Sequence, residues 1–70
     1  MLYDSDGRRI VPGRGYRVSW QKWAGSVARY NFNCKAEIVG GIAVLIDQRS
    51  HKTYTEAYLR MVQAKIHLKK

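Results

Sequence analysis

Apolar and polar side chains alternate along residues 16–21 and again along residues 28–33. The apolar members of the two stretches are Tyr16, Val18, Trp20, Ala28, Tyr30 and Phe32. A period of two is that of a β-strand with one buried face, so we predict strands over residues 16–21 and 26–32. The short connection between them contains Gly25, which can adopt positive φ, and its length predicts antiparallel pairing.

The next apolar segment contains Gly40 and Gly41 at its centre. Two adjacent glycines are typical of a two-residue hairpin turn, because that turn needs positive φ at one or both positions. We therefore predict a hairpin of strands 36–39 and 42–46. One continuous strand with a glycine bulge is the alternative.

Residues 53–70 have the apolar spacing of an amphipathic helix. Thr53 and Glu56 match the capping-box pattern, which places the start of the helix at Thr53. The predicted fold is α+β: an antiparallel sheet of three to four strands packed on one C-terminal amphipathic helix. The alternative is a small Tudor-like β-barrel, in which "EAYLRMV" shortens to one turn and residues 65–69 form a further strand.

The length of 70 residues allows one small domain. Residues 1–15 are rich in turn formers and predict a basic N-terminal arm, which leaves residues 16–70 as a single sheet-plus-helix domain. The longest apolar run, residues 42–46, is far shorter than the roughly 20 residues that a membrane-spanning helix needs. The chain starts without the apolar region of a secretory signal. We expect a cytoplasmic protein with no membrane partner.

The charge of the chain is strongly positive. Thirteen Lys and Arg against five Asp and Glu give a formal net charge of +8. Residues 7–36 contain seven of the basic side chains and no acidic one. A field of one sign attracts polyanions and speeds their association, so a nucleic acid is the predicted partner. A basic surface kept for solubility would have the same composition.

The polar side chains of the predicted strands face solvent if the aromatic ones face the helix. Arg, Asn, Gln and Ser are the side chains that contact base edges and phosphates. The predicted nucleic-acid-binding residues are Arg14, Arg17, Ser19, Gln21, Lys22, Trp23, Arg29, Asn31 and Lys35, with Asn33 on the same face. The predicted phosphate contacts outside this face are Arg8, Arg9, Arg49 and Lys52. Trp23 falls outside the alternating register, so it either packs on the core or stacks on a base.

Two segments resemble DNA-binding domains built from a three-stranded sheet and one helix. They are "GYRVSWQKWAG" as first strand and turn, and "KTYTEAYLRMVQAKI" as the helix after the sheet. The resemblance is to the arm-binding N-terminal domains of tyrosine recombinases and to the plant ethylene-response domain, over roughly residues 14–66. Residues 33–46 depart from it, since they are longer and more apolar than the third strand of those families. The resemblance implies double-stranded DNA rather than RNA, read in the major groove by Arg17, Ser19, Gln21 and Arg29.

Catalysis is not predicted, and neither is a cofactor or a metal site. The five acidic residues form no close pair, and Cys34, His51 and His67 are too few and too scattered for a metal site. Cys34 has no second cysteine for a disulfide and is predicted as a small, partly buried side chain. The alternative function is a small accessory or inhibitor protein, such as phages and mobile elements encode, that docks on an acidic protein surface. Pairing of two copies would enlarge so small a core, which keeps a homodimer open.

Overall fold

A computed structural model describes residues 2–69 of the chain. The elements in chain order are β1 (Gly15–Gln21), β2 (Arg29–Val39), β3 (Ile42–Asp47), β4 (Thr53–Tyr54), α1 (Glu56–Met61) and β5 (Lys65–Leu68). The strands form one antiparallel sheet in the order β4-β3-β2-β1-β5. The α+β class with an antiparallel sheet is confirmed, and the sheet has five strands rather than three to four.

The predicted hairpin between β2 and β3 is confirmed. Val39 pairs with Ile42, and Gly40 and Gly41 between them have φ values of 58° and 79°. Positive φ at both central residues is the geometry of a type I′ turn, which matches the twist of the strands on either side. β2 itself is one strand of 11 residues where two were predicted. Its inward alternation continues through Cys34, so the chain does not break between the two predicted strands.

The C-terminal helix is much shorter than predicted. It begins after Thr55, whose side-chain Oγ1 accepts a hydrogen bond from the Tyr58 amide at 3.3 Å. Thr53, the predicted first residue of the helix, lies in β4 and pairs with Ile46. The predicted N-cap, Thr53, is therefore wrong: the observed N-cap is Thr55, two residues later. Thr55 is a better-placed cap because Thr53 already belongs to the sheet.

The last part of the predicted helix is a strand. Residues 65–68 pair antiparallel with β1, with Ile66 opposite Val18. The stretch Lys65–Leu68 alternates polar and apolar side chains, so it also has the period of a strand. Pairing with β1 buries Ile66 and satisfies a strand edge that a helix would leave open.

The short helix and the last strand are features of the barrel alternative, yet the sheet is open. β4 and β5 are its two edges and do not pair with each other. The sheet curls strongly, since Tyr54 of β4 packs edge-on against Trp20 of β1 with ring centroids 5.3 Å apart. One short helix and a curled sheet therefore enclose the core, in place of a long helix lying across a flat sheet.

The core lies on the inner side of this curl. Its largest fully buried side chains are Tyr16, Leu45, Val18 and Cys34. Leu59 contributes from α1 and Ile66 from β5. Burial, with a smaller contribution from the charge of Asp47, raises the pKa of the Cys34 thiol to about 12. The predicted small side chain at position 34 is thus fully enclosed and protonated at neutral pH.

Residues 2–10 of the predicted N-terminal arm pack on the domain. Leu2 and Ile10 belong to the buried core. The carboxylate of Asp4 accepts hydrogen bonds from the amides of Asp6 and Arg8, each at 2.9 Å, and so fixes the turn between them. The Ser5 amide donates to the carbonyl of Ile66 at 2.8 Å, which ties this segment to the free edge of β5.

Candidate nucleic-acid interface

The side chains that alternate with the core along β1, β2 and β5 lie together on the opposite side of the sheet. We call this surface the outer face. It consists of Arg17, Ser19, Gln21, Arg29, Asn31, Asn33, Lys35, Lys65 and His67. All six of the strand residues predicted to bind nucleic acid, from Arg17 to Lys35, lie on it, and each is exposed or half-buried.

The strand register arranges this face in rows. Arg17 lies between Asn33 of β2 and His67 of β5. Ser19 lies between Asn31 and Lys65 in the same way. Each row therefore presents amide, hydroxyl, imidazole or cationic groups side by side across three strands, about 4.8 Å apart.

Lys65 and His67 were not predicted as part of this face. Both are exposed on β5 and enter the face only because β5 pairs with β1. The alternation of polar and apolar side chains in residues 65–68 could have indicated them. Over so few residues, however, the same pattern is compatible with a helix.

Where β1 ends and β2 begins, the sheet narrows to a two-stranded ribbon. β5 pairs with β1 only over residues 16–19, and β3 pairs with β2 only from Cys34 onward. Trp20 and Gln21 are therefore flanked only by Tyr30 and Arg29, their partners on β2. The loop of residues 22–28 closes the ribbon. A consequence is that β2 has an open edge along residues 29–32.

Hydrogen bonds hold two of the ribbon side chains in place. The Arg29 guanidinium donates through Nη2 to the Ser19 carbonyl at 3.1 Å and to the Ser19 hydroxyl at 3.3 Å. The Gln21 amide nitrogen donates to the Ser26 carbonyl at 3.0 Å. Arg17, by contrast, makes no side-chain hydrogen bond to any other residue of the described range. Arg17 is thus available to a ligand, while Arg29 is partly engaged within the protein.

The loop that closes the ribbon displays Trp23. The indole is 65% exposed, so of the two predicted alternatives the structure supports exposure rather than packing on the core. Ser26 is buried and accepts a hydrogen bond from the Ala28 amide at 3.0 Å, which shapes the loop beneath. Lys22 holds its Nζ 5.4 Å from the ring centre of Tyr30. The loop therefore combines an exposed aromatic side chain with a cation.

Five aromatic side chains gather on the inner side of the ribbon. This aromatic cluster consists of Trp20, Tyr30, Phe32, Tyr54 and Tyr58. Trp20 lies at its centre, with ring centroids 5.0–6.1 Å from the other four. Trp20 is buried, as predicted for a core position, but Tyr30 is 44% exposed. The cluster is thus part core and part surface.

A groove runs along the open edge of β2. Its volume is about 710 Å³, and it lies between residues 31–33 of β2 and the end of β3 with the loop of residues 48–52, and Tyr54 also lines it. Asp47 shapes that loop: its carboxylate accepts hydrogen bonds from the Arg49 amide at 3.0 Å and from the Ser50 hydroxyl at 2.9 Å. Arg49 and Lys52, two of the predicted phosphate contacts, are exposed on this loop and line the groove.

The remaining predicted contacts lie elsewhere. Arg14 precedes β1, where its carbonyl accepts a hydrogen bond from the Ala36 amide at 2.9 Å. Arg8 lies in the N-terminal turn, and Arg9 lines a separate cavity beside Ile38 and Ile42 of the hairpin. The structure does not bring Arg8 or Arg9 to the outer face.

Residues 2–69 contain no group of three His, Cys, Asp or Glu that could hold a metal ion. No helix in that range is long and apolar enough to cross a membrane. Comparison of the chain with protein families, curated proteins and solved structures gives no match.

Proposed function

We propose that this protein binds nucleic acid, and specifically double-stranded DNA, through the outer face. The observation that carries the proposal is the pair of cross-strand rows in which Arg17 and Ser19 are flanked by amides on β2 and by His67 and Lys65 on β5. These are the chemical groups that contact base edges and phosphates.

The shape of the sheet supports binding in the major groove. A two-stranded β-ribbon is narrow enough to enter that groove, which is about 12 Å wide. Among residues 2–69, no third strand pairs with the ribbon formed by residues 20–21 and 29–30. Its outward side chains, Gln21 and Arg29, are already held by hydrogen bonds within the protein, so binding would order them little further.

Within this proposal the side chains have distinct roles. Arg17 reads a base edge, because its guanidinium can donate two hydrogen bonds to guanine and is not engaged within the described chain. Asn31 and Asn33 offer amides to adenine. Lys35 and Lys65 contact phosphates on either side. Arg29 holds the ribbon together and presents Nη1, which its bonds to Ser19 leave unused.

The distribution of acidic side chains favours the same surface. Asp4 and Asp47 are buried and accept hydrogen bonds from backbone amides of their own turns. Glu37 is the acidic residue that shares the outward side of β2, two positions beyond Lys35. The rows around Arg17 and Ser19 are therefore free of carboxylates, and their field attracts a polyanion.

The test is a fluorescence-anisotropy titration of a labelled DNA duplex at several salt concentrations. We expect affinity to fall steeply with salt, because each neutralised phosphate contributes a slope of about −0.9 in log K against log [salt]. Arg60→Ala, a change of equal charge on α1, is the control for Arg17→Ala. No binding at low salt, or equal effects of the two substitutions, would overturn the proposal.

An acidic protein surface is the alternative partner, since it needs similar charges. An unlabelled acidic protein added to the same titration distinguishes the two. Competition with the duplex at equal charge concentration would favour the protein partner, whereas the proposal predicts that the duplex stays bound.

A further inference from the structure

The groove beside β2 exists because β3 stops pairing too early to cover it. β3 contacts β2 in register only from Cys34 to Val39, with one further hydrogen bond, from the Gln48 amide to the Asn33 carbonyl at 2.9 Å. Beyond that point the chain turns away into the loop of residues 48–52. Strand edges are normally paired or covered. Here the edge borders an open groove large enough for a small ligand.

One side of the groove is aromatic. Phe32 lines it, is half-buried, and has its ring 5.6 Å from Tyr54 and 6.2 Å from Tyr30. The rings of Phe32 and Tyr30 are nearly parallel, at 25°, and follow one another on the same side of β2. Phe32 also packs on Trp20 at 5.0 Å, and the Lys22 cation lies over the Tyr30 ring at 5.4 Å. The exposed parts of the two rings follow one another along the strand, where successive bases can stack.

The other side is cationic and polar. Arg49 and Lys52 are exposed, and neither makes a side-chain hydrogen bond to another residue in the described part of the chain. Asp47 also lines the groove, and its carboxylate accepts hydrogen bonds from the Arg49 amide and the Ser50 hydroxyl. The two cationic side chains of the groove outnumber this one carboxylate. Amides of Asn33 and Gln48 at the rim can bond base edges.

We propose that this groove binds a single strand of nucleic acid, with a base on Phe32, its neighbour on Tyr30, and phosphates beside Arg49 and Lys52. The inference rests on the proposed function and adds unpaired nucleotides to its substrates. Aromatic platforms beside cations are typical of single-strand binding, whereas a duplex hides the faces of its bases. Asn31 and Asn33 belong to the outer face and also line the groove, so the two surfaces are continuous.

The experiment compares a labelled oligothymidine with the labelled duplex at one salt concentration. Phe32→Leu keeps an apolar side chain but removes the aromatic face, and we expect it to weaken oligothymidine binding about tenfold. Lys52→Ala, which shortens an exposed side chain, should weaken it a few-fold. Phe32→Leu should not alter duplex binding more than about twofold, and Lys52→Ala should weaken oligothymidine binding more than duplex binding. Arg17→Ala should show the reverse pattern, and Arg60→Ala is the charge-matched control.

Each outcome decides the proposal. Duplex binding with no oligothymidine binding, or oligothymidine binding unchanged in both Phe32→Leu and Lys52→Ala, overturns the groove and leaves the proposed function standing. Failure of both ligands overturns the two proposals together. An acidic extended peptide could instead add a strand at the open edge. Binding of a polyglutamate peptide that depends on Lys52, without oligothymidine binding, would also contradict the single-strand site.

Discussion

The two halves of β2 differ in how they are held and in what they expose. Residues 34–36 pair with β1 or its preceding segment on one side and with β3 on the other, and they bury Cys34 and Ala36. Residues 29–32 pair with β1 alone and expose Tyr30 and Asn31. The half that is held on both sides contributes core, and the half that is open on one side presents side chains to a ligand. Stability and binding should therefore respond to different substitutions along one strand.

The largest expected effect is on the doubly paired half. Leu45 of β3 is fully buried opposite Ala36. Leu45→Ala should lower the free energy of unfolding by about 2–5 kcal/mol, because it removes buried apolar contacts and leaves a cavity. Urea denaturation measures this change. Ile42→Ala is the control, since Ile42 is 62% exposed at the hairpin tip. Equal losses at the two positions would contradict the assignment of the core.

Next in size is the effect of Arg17→Ala on duplex binding. We expect a loss of about 1–3 kcal/mol and a weaker sequence preference, with the free energy of unfolding changed by less than about 0.5 kcal/mol. Arg29→Ala sharpens the comparison. It removes hydrogen bonds to Ser19, so it should also lower stability by about 1 kcal/mol. Anisotropy titration and urea denaturation of both variants separate the role of Arg17 in DNA contact from the role of Arg29 in holding the ribbon. Equal losses of stability in the two variants would contradict this assignment.

The pH dependence tests the burial of Cys34 at the junction of the two halves. Its pKa is about 12 in the folded protein against 9.0 for a free thiol, so the unfolded chain ionises first as pH rises. The contribution to stability is complete below about pH 9 and declines by about 1 kcal/mol per pH unit between 9 and 12. Burial raises the pKa of Tyr54 as well, which acts in the same direction. Cys34→Ala should show a shallower alkaline loss in urea denaturation. Parallel curves would argue against a buried thiol.

The smallest expected effect is at the hairpin turn. Gly41 has φ of 79° and open space where a Cβ would lie. Gly41→Ala should therefore cost only the backbone strain of the left-handed conformation, about 1 kcal/mol. Thermal unfolding measures this cost, and DNA binding should not change, because the turn is at the opposite end of β2 from the ribbon. A larger loss, or weaker binding, would contradict that separation.

Local patterns predicted the parts of the fold that local geometry decides. The alternation in residues 16–21 gave β1 and its two faces, and Gly40-Gly41 gave the hairpin, because a two-residue turn depends on those residues alone. The C-terminal prediction was wrong in extent because residues 65–68 fit the periods of both a helix and a strand. Only the pairing with β1, distant in sequence, favours the strand.

The candidate site follows the same division. The outward residues of β1 and β2 could be predicted from their alternation, as the row containing Arg17 and Asn33 illustrates. Lys65 and His67 could not, because their place depends on which strand lies beside β1. The groove could not be predicted either, because it forms where β3 stops pairing with β2, and no local pattern marks that position. The same point also decides which aromatic side chains of β2 are covered and which are exposed.

The most direct test of the central claim is a residue-by-residue map of DNA binding by NMR. Amide chemical shifts would be followed while a duplex is added to the labelled protein. The outer face predicts the largest shifts at residues 17–21, 29–33 and 65–67. Shifts confined to the hairpin tip at residues 38–42, or no shifts at a DNA excess in low salt, would contradict it.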